Sequence, residues 1–109
     1  MNQKKKGKKQ TMLEVAHDMA KGLHKANVID ETTMREFDTL CLPPVDDLAP
    51  KEIKNLRLRE HVSQPVFAKY LNTSTSTVKQ WEQGEKHPRG TSLKLLNLVK
   101  GKGLSILAA

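Results

Sequence analysis

One stretch, Ser63 to Gly84, constrains the fold of this chain more than any other part of its sequence. It reads SQPVFAKYLNTSTSTVKQWEQG. Ser63 and Ser74 are residue types that cap helices, and each stands just before a run with apolar residues at helical spacing. Between the runs lies Asn72, a residue type that tolerates the left-handed backbone of a tight turn. The stretch therefore predicts two short helices joined by a turn.

The second predicted helix has two different faces. Val78 and Trp81 are three residues apart and point inward, toward Phe67 and Leu71 of the first helix. The opposite side carries hydroxyls, amides and one cation: Thr75, Ser76, Lys79, Gln80 and Gln83. Such a stripe suits the donor and acceptor pattern of base-pair edges in the major groove. The alternative is an amphipathic hairpin that serves stability alone.

This pattern resembles the helix-turn-helix of the phage repressor/Cro (Xre) family, in its Q-x-x-F-A…V-x-x-W-E-x-G form. The matching residues are Gln64, Phe67, Ala68, Val78, Trp81, Glu82 and Gly84. The resemblance covers about Lys51 to Lys100. It implies an all-α fold, with a compact lambda-repressor-like DNA-binding domain over residues 48–109 and double-stranded DNA as a partner.

The resemblance also distributes roles among the polar residues. The amino end of the second helix approaches DNA first in this motif, so the predicted base contacts are Thr75, Ser76, Lys79 and Gln80. The predicted phosphate contacts are Gln64, Lys69, Thr73, Lys86 and Arg89. The family pairs an arginine of the preceding helix with the glutamate after the tryptophan, which implies a partly buried ion pair between Arg57 and Glu82.

The size of one such domain bears on its assembly. A single DNA-binding module buries only about 600 to 1,000 Å². Useful specificity therefore implies a homodimer on a palindromic operator, with half-sites about one helical turn apart.

Composition narrows the remaining function classes. In 109 residues there is room for one compact domain and appendages. No apolar run approaches the roughly 20 residues of a membrane span, and the start lacks a secretory signal, so we expect a cytoplasmic protein without a membrane partner. The single cysteine, Cys41, excludes an intramolecular disulfide and a cysteine-rich metal site. No catalytic motif stands out, and we expect no enzyme activity and no cofactor.

The net charge of +7 is distributed unevenly. Residues 1–10 contain five lysines and no acidic residue, residues 11–49 contain eight acidic residues against three basic ones, and residues 50–109 contain eleven basic residues against four acidic ones. The basic carboxy-terminal part would attract a phosphate backbone, which would repel the acidic middle. Two partners are therefore expected.

The lysine-rich start, residues 1–10, cannot bury apolar surface, and we expect it to be disordered. It is either a solvated tail or an electrostatic arm that contacts DNA.

Residues 11–47 are predicted to form a helical segment for partner binding or dimerisation. Thr11 with Glu14, and Thr33 with Glu36, have the spacing of capping boxes, and the first helix should run to about Asn27. Apolar residues recur at helical spacing, and the predicted partner-binding set is Met12, Val15, Met19, Leu23, Met34 and Phe37. Simple packing on the DNA-binding domain is the alternative.

The proline-rich, acidic connection from Pro43 to Pro50 marks the domain boundary. A last core helix follows the loop with Lys86, His87 and Arg89, and two alternative apolar faces are available to it. One consists of Leu93, Leu96 and Val99, and the other of Leu95 and Leu98. Residues 104–109 either pack on a dimer partner or trail.

An acidic partner-binding segment before an Xre-type domain resembles antitoxins of the HigA type in toxin–antitoxin systems. That resemblance implies a repressor of its own operon that neutralises a small basic mRNA-cleaving toxin, RelE/HigB-like. The alternative functions are a stand-alone bacterial or phage repressor, or a protein-binding module that does not use DNA.

Overall fold

The computed structural model describes residues 10–108. Over these residues the chain contains six α-helices, two 3-10 helices and no strand, which confirms the all-α prediction. The chain divides into two compact units after Pro44, three residues before the predicted boundary. The predicted tail, residues 1–10, lies outside the described residues except for Gln10.

The first unit contains α1 (Met12–Lys25), α2 (Glu31–Asp38) and a 3-10 helix (Thr39–Cys41). α1 begins with the predicted capping box: the Thr11 hydroxyl accepts the N–H of Glu14 at 3.1 Å, and the Glu14 carboxylate accepts the N–H of Thr11 at 2.8 Å. The helix ends two residues before Asn27, whose φ of 64° is left-handed. A polar residue that tolerates this conformation thus ends the helix.

α2 begins earlier than predicted. Its cap is Asp30, whose carboxylate accepts the N–H of Thr33 at 2.8 Å. The capping box predicted from Thr33 and Glu36 is therefore wrong, because an equally good capping residue three positions earlier adds almost a full helical turn. This hydrogen bond from the backbone of Thr33 holds the pKa of Asp30 below its ordinary value.

The two helices of the first unit pack through two buried apolar side chains and through polar contacts. Ala20 of α1 and Met34 of α2 are buried. Two histidine–carboxylate contacts join the helices: His17 to Asp38 at 2.7 Å and His24 to Glu31 at 2.9 Å. Hydrogen bonds from His17 and from Arg35 hold the pKa of Asp38 below its ordinary value.

The second unit contains α3 (Pro50–Arg59), α4 (Gln64–Leu71), α5 (Thr75–Gln83), α6 (Gly90–Lys102) and a 3-10 helix (Leu104–Ala108). These elements share one apolar core. It consists of Leu48, Ile53, Leu56, Phe67, Ala68, Leu71, Val78, Trp81, Leu96, Val99 and Leu104. Of the two faces considered for the last helix, the one with Leu96 and Val99 is buried.

The acidic connection is part of this second unit. The Asn97 side chain holds the backbone of Asp46 from both sides: its Oδ1 accepts the N–H of Asp46 at 3.0 Å, and its Nδ2 donates to the carbonyl at 2.9 Å. Leu48, two residues on, is buried in the core. This fixed backbone explains why the boundary falls at Pro44.

Two neighbouring residues at the end of α3 hold the end of α6. The Arg59 guanidinium donates to the carbonyls of Val99 at 2.9 Å and Lys100 at 3.3 Å. The Glu60 carboxylate accepts the N–H of Leu104 at 2.9 Å, and this hydrogen bond lowers the pKa of Glu60. These side chains thus provide hydrogen bonds to backbone groups at the end of α6 and just beyond it.

Candidate nucleic-acid interface

The turn between α4 and α5 is tightly determined by its own residues. Asn72 adopts the left-handed conformation, with φ 56° and ψ 46°. The N–H of Thr73 then donates back to the carbonyl of Ala68 at 2.9 Å, as in a Schellman turn. The Ser74 hydroxyl accepts the N–H of Thr77 at 3.0 Å and so caps α5. These hydrogen bonds define the path of the chain from one helix to the next.

The inner faces of α4 and α5 meet in the core. Phe67 and Ala68 of α4 and Val78 and Trp81 of α5 are all buried. Because Ala68 is small, the two helices can approach closely. Their relative orientation is therefore set by packing, and the outer face of α5 is held on a rigid support.

The outer face of α5 carries the four residues predicted to contact bases. Ser76 and Lys79 are exposed, and Thr75 and Gln80 are half-buried. Their spacing along the helix places them side by side near its amino end, opposite Val78 and Trp81. Within residues 10–108 the structure shows no hydrogen bond made by these four side chains, so their donors and acceptors remain available for a ligand.

Arg57 and Glu82 lock α3 to α5. Nε of Arg57 donates to one oxygen of Glu82 at 2.7 Å and Nη2 to the other at 3.0 Å, with side chains only 11% and 4% exposed. Nη1 donates to the carbonyl of Val62 at 3.1 Å. Burial alone would raise the pKa of Glu82, but the hydrogen bonds from Arg57 and Gln64 outweigh it and keep the carboxyl pKa low.

Gln64 joins this network, a role that its position in the sequence did not indicate. Its Nε2 donates to Glu82 at 3.0 Å. A primary amide has two N–H groups, so one of them stays available for a phosphate oxygen. The predicted phosphate role of Gln64 thus stays compatible with its place in the network, and Glu82 orients the amide.

A family model described as helix-turn-helix matches residues 53–106, which contain α4, the turn and α5. Residues 53–106 are an Xre-like helix-turn-helix domain. The prediction of this family is confirmed. We refer to these residues below as the Xre-like domain.

A curated relative matches half of the chain. Antitoxin HigA-2 of Vibrio cholerae serotype O1 (strain ATCC 39315 / El Tor Inaba N16961) is 41% identical over 54 residues, covering 50% of this chain and 52% of that protein. The chain spans about half the length of the curated relative that it matches. The family model and the relative both point to a DNA-binding regulator rather than to an enzyme family.

The other predicted phosphate contacts lie within the Xre-like domain. Lys69 is exposed on α4, and Thr73 is half-buried in the turn. Lys86 and Arg89 are exposed in the loop between α5 and α6. The cations of this loop follow directly after α5, where a phosphate backbone beside the groove would lie.

The predicted partner-binding residues of the first unit separate into two groups. Four α1 residues are exposed and lie along one side of the helix: Met12, Val15, Met19 and Leu23. Met34 is 5% exposed beneath α1 and Phe37 is half-buried. Met34 is therefore a packing residue of the α1–α2 hairpin, contrary to its predicted place on a partner surface. We call the four exposed residues the α1 apolar face.

Two further observations concern what the described residues could hold. Among residues 10–108, no three His, Cys, Asp or Glu side chains are arranged to bind a metal ion, and His17 and His24 each contact a carboxylate instead. In the same part of the chain, no helix has the length and apolar character needed to cross a membrane.

Proposed function

We propose that this protein is a transcriptional repressor that reads double-stranded DNA with α5. The observation that carries this proposal is the polar outer face of α5, held on a turn and an ion pair that leave it little freedom. An interface of fixed geometry loses little conformational entropy on binding. The basic character of residues 50–109 favours the same ligand.

The four outer residues of α5 have distinct chemical roles in this proposal. Thr75 and Ser76, in the first turn, offer hydroxyl groups, and the Thr75 methyl suits a thymine methyl. Lys79 donates to guanine or to a phosphate, and the Gln80 amide can pair with adenine. Gln64, Lys69, Thr73, Lys86 and Arg89 would hold the domain on the backbone. Two copies on a palindromic operator would double this small interface.

The first experiment measures binding to the promoter fragment of the protein's own gene and to a scrambled duplex. Lys79→Ala and Thr75→Ala should each weaken promoter binding by about 1 to 3 kcal/mol and reduce the preference over the scrambled duplex. Lys100→Ala removes the same charge as Lys79→Ala, but from the far end of α6, and serves as the control. Equal losses on both duplexes would argue against base reading by α5.

We further propose that the repressor is a cytoplasmic antitoxin. The α1 apolar face supports a protein partner, since monomeric proteins seldom expose contiguous apolar side chains on one helix. The eight acidic residues of positions 11–49 favour a basic partner. A small mRNA-cleaving toxin of the RelE/HigB-like type fits this chemistry, and HigA-2 is named an antitoxin.

The second experiment expresses the chain together with the product of the adjacent reading frame. If the chain is an antitoxin, the two proteins should co-purify, and deletion of residues 1–44 should abolish the complex while DNA binding persists. The truncation ends where the structure divides the chain, so it spares the Asp46 contact with Asn97. Absence of a complex would leave the stand-alone repressor as the function.

A further inference from the structure

The sulfur atoms of this chain are confined to its first unit. The four methionines, Met1, Met12, Met19 and Met34, and the one cysteine, Cys41, all precede Pro44. Residues 45–109, which include the Xre-like domain, contain none. A mild oxidant that attacks sulfur therefore acts on the first unit alone and leaves the DNA-reading unit chemically unchanged.

We propose that Met12 and Met19 form a reversible oxidation site that switches the α1 apolar face from apolar to polar. The functional consequence rests on the proposed antitoxin role. Met12 is 89% exposed and Met19 is 66% exposed, and they are two turns apart on the same side of α1. Two of the four side chains of this face can thus be modified without unfolding.

Met34 provides a contrast within the same unit. It is 5% exposed beneath α1. An oxidant reaches its thioether only after the α1–α2 hairpin opens, so folding protects it. Cys41 is exposed, but its Sγ lies 3.8 Å from the carbonyl of Leu13, on the side of α1 that packs within the unit. Its oxidation would not directly change the α1 apolar face.

The chemistry is a two-electron oxygen transfer from a peroxide. The thioether sulfur attacks one oxygen of hydrogen peroxide, the O–O bond breaks as the S–O bond forms, and the second oxygen leaves as water after proton transfer. Sulfur is oxidised to the sulfoxide and the peroxide is reduced. Methionine sulfoxide reductases return the thioether, which makes the change reversible.

The product changes what the face can bind. A thioether is apolar and polarizable and adapts well to irregular apolar surfaces. A sulfoxide carries a strong hydrogen-bond acceptor, which must lose its water to enter such a surface. Oxidation should therefore weaken partner binding by about tenfold or more for each modified residue, which is the change expected when one apolar side chain no longer contributes.

The first part of the test measures selectivity on the full chain. Protein treated with dilute hydrogen peroxide and quenched with catalase is digested and analysed by mass spectrometry over time. Met12 and Met19 should form sulfoxide at least about tenfold faster than Met34, as protection by folding requires. Equal rates at the three positions would overturn the proposal, because exposure would then confer no selectivity.

The second part measures binding in a Cys41→Ser background, and the probe is the adjacent gene product. The probe itself is not treated with peroxide and is added only after the peroxide has been quenched. Peroxide should weaken the complex and a methionine sulfoxide reductase should restore it. Met12→Leu/Met19→Leu should keep its affinity after treatment, and Met12→Gln/Met19→Gln should bind weakly without treatment. Met34→Leu is the matched control and should remain sensitive to peroxide.

The outcomes separate the two proposals. If the untreated chain fails to bind the adjacent gene product, the antitoxin role fails, and the selectivity measurement alone decides the oxidation site. If the untreated chain binds and the treated chain binds equally well, the switch is overturned while the antitoxin role stands. Affinity for the promoter fragment should be unchanged by peroxide, and a loss there would contradict an effect confined to the first unit.

Discussion

At the scale of single residues, Arg57 and Glu82 show what sequence can and cannot predict. The pair itself follows from the resemblance to the Xre family, because Glu82 occupies a motif position and the family pairs that glutamate with an arginine of the preceding helix. The two further partners, the carbonyl of Val62 and the amide of Gln64, complete the network. These two contacts depend on how α3, α4 and α5 pack, so no local sequence pattern predicts them.

Removal of one residue of the Arg57–Glu82 ion pair should destabilise the folded protein. Glu82→Ala leaves the Arg57 guanidinium buried without its carboxylate, and should lower the free energy of unfolding by about 3 to 5 kcal/mol. Urea denaturation followed by Trp81 fluorescence measures it. Glu85→Ala, which removes an exposed carboxylate from the loop after α5, should change it by less than about 0.5 kcal/mol. Similar losses in both variants would contradict the assignment.

Lowering the pH should also weaken the Arg57–Glu82 ion pair. The folded-state pKa of Glu82 lies below its ordinary value, so its contribution is complete at neutral pH and is lost as pH falls through that lowered pKa. Thermal unfolding between pH 7 and pH 3 should show a smaller acid loss in Glu82→Ala than in the unaltered chain. Parallel curves would mean that other carboxylates account for the acid sensitivity.

At the scale of helices, the sequence largely predicts the caps and turns, but it predicts only in part which face of a helix is buried. Ser63, Ser74 and Asn72 behave as their chemistry indicates, because each acts on backbone groups within three or four residues. α1 differs. It is apolar over more than one side, and the structure buries Ala20 rather than the stripe with Met12 and Met19. Periodicity finds apolar positions, but it does not say which of them meet a neighbouring helix.

Asn72 offers a direct test of the turn between α4 and α5. Its φ of 56° suits Asn and Gly but disfavours a β-branched side chain. Asn72→Val should destabilise the domain by about 1 to 2 kcal/mol, whereas Asn72→Gly should be nearly neutral. At Asn55, inside α3, the order should reverse, since glycine is the poorer residue in a helix. Thermal unfolding of the four variants gives both orders.

At the scale of the whole molecule, the position of the boundary is the main feature that sequence did not provide. The division after Pro44 falls within the connection from Pro43 to Pro50, which is rich in proline and acidic residues. The contact of Asp46 with Asn97 joins positions 51 residues apart, and Leu48 enters the core from within that connection. Such long-range contacts have no local signature, so the sequence indicates the connection but not the residue at which the second unit begins.

Two truncated fragments should show how much the connection contributes to the stability of the second unit. A fragment that begins at Val45 keeps both contacts, whereas one that begins at Ala49 loses Leu48 and the backbone held by Asn97. Burying one leucine contributes about 1.5 to 3 kcal/mol, so the shorter fragment should unfold at a clearly lower temperature. Calorimetry of the two fragments measures the gap, and identical melting temperatures would show that the connection adds nothing to the second unit.

The hold of Arg59 and Glu60 on the end of α6 has a consequence for how these positions can evolve. Apart from the ion pair that they form with each other, their partners are the backbone carbonyls of Val99 and Lys100 and the backbone N–H of Leu104. Two substitutions that reverse both charges can preserve a salt bridge between two side chains. A backbone carbonyl is the same in every residue, and a backbone N–H in every residue but proline, so no substitution at its position can compensate for the loss of the side chain that binds it. Among relatives that share this chain end, Arg59 and Glu60 should therefore stay constant and should not covary with any other position.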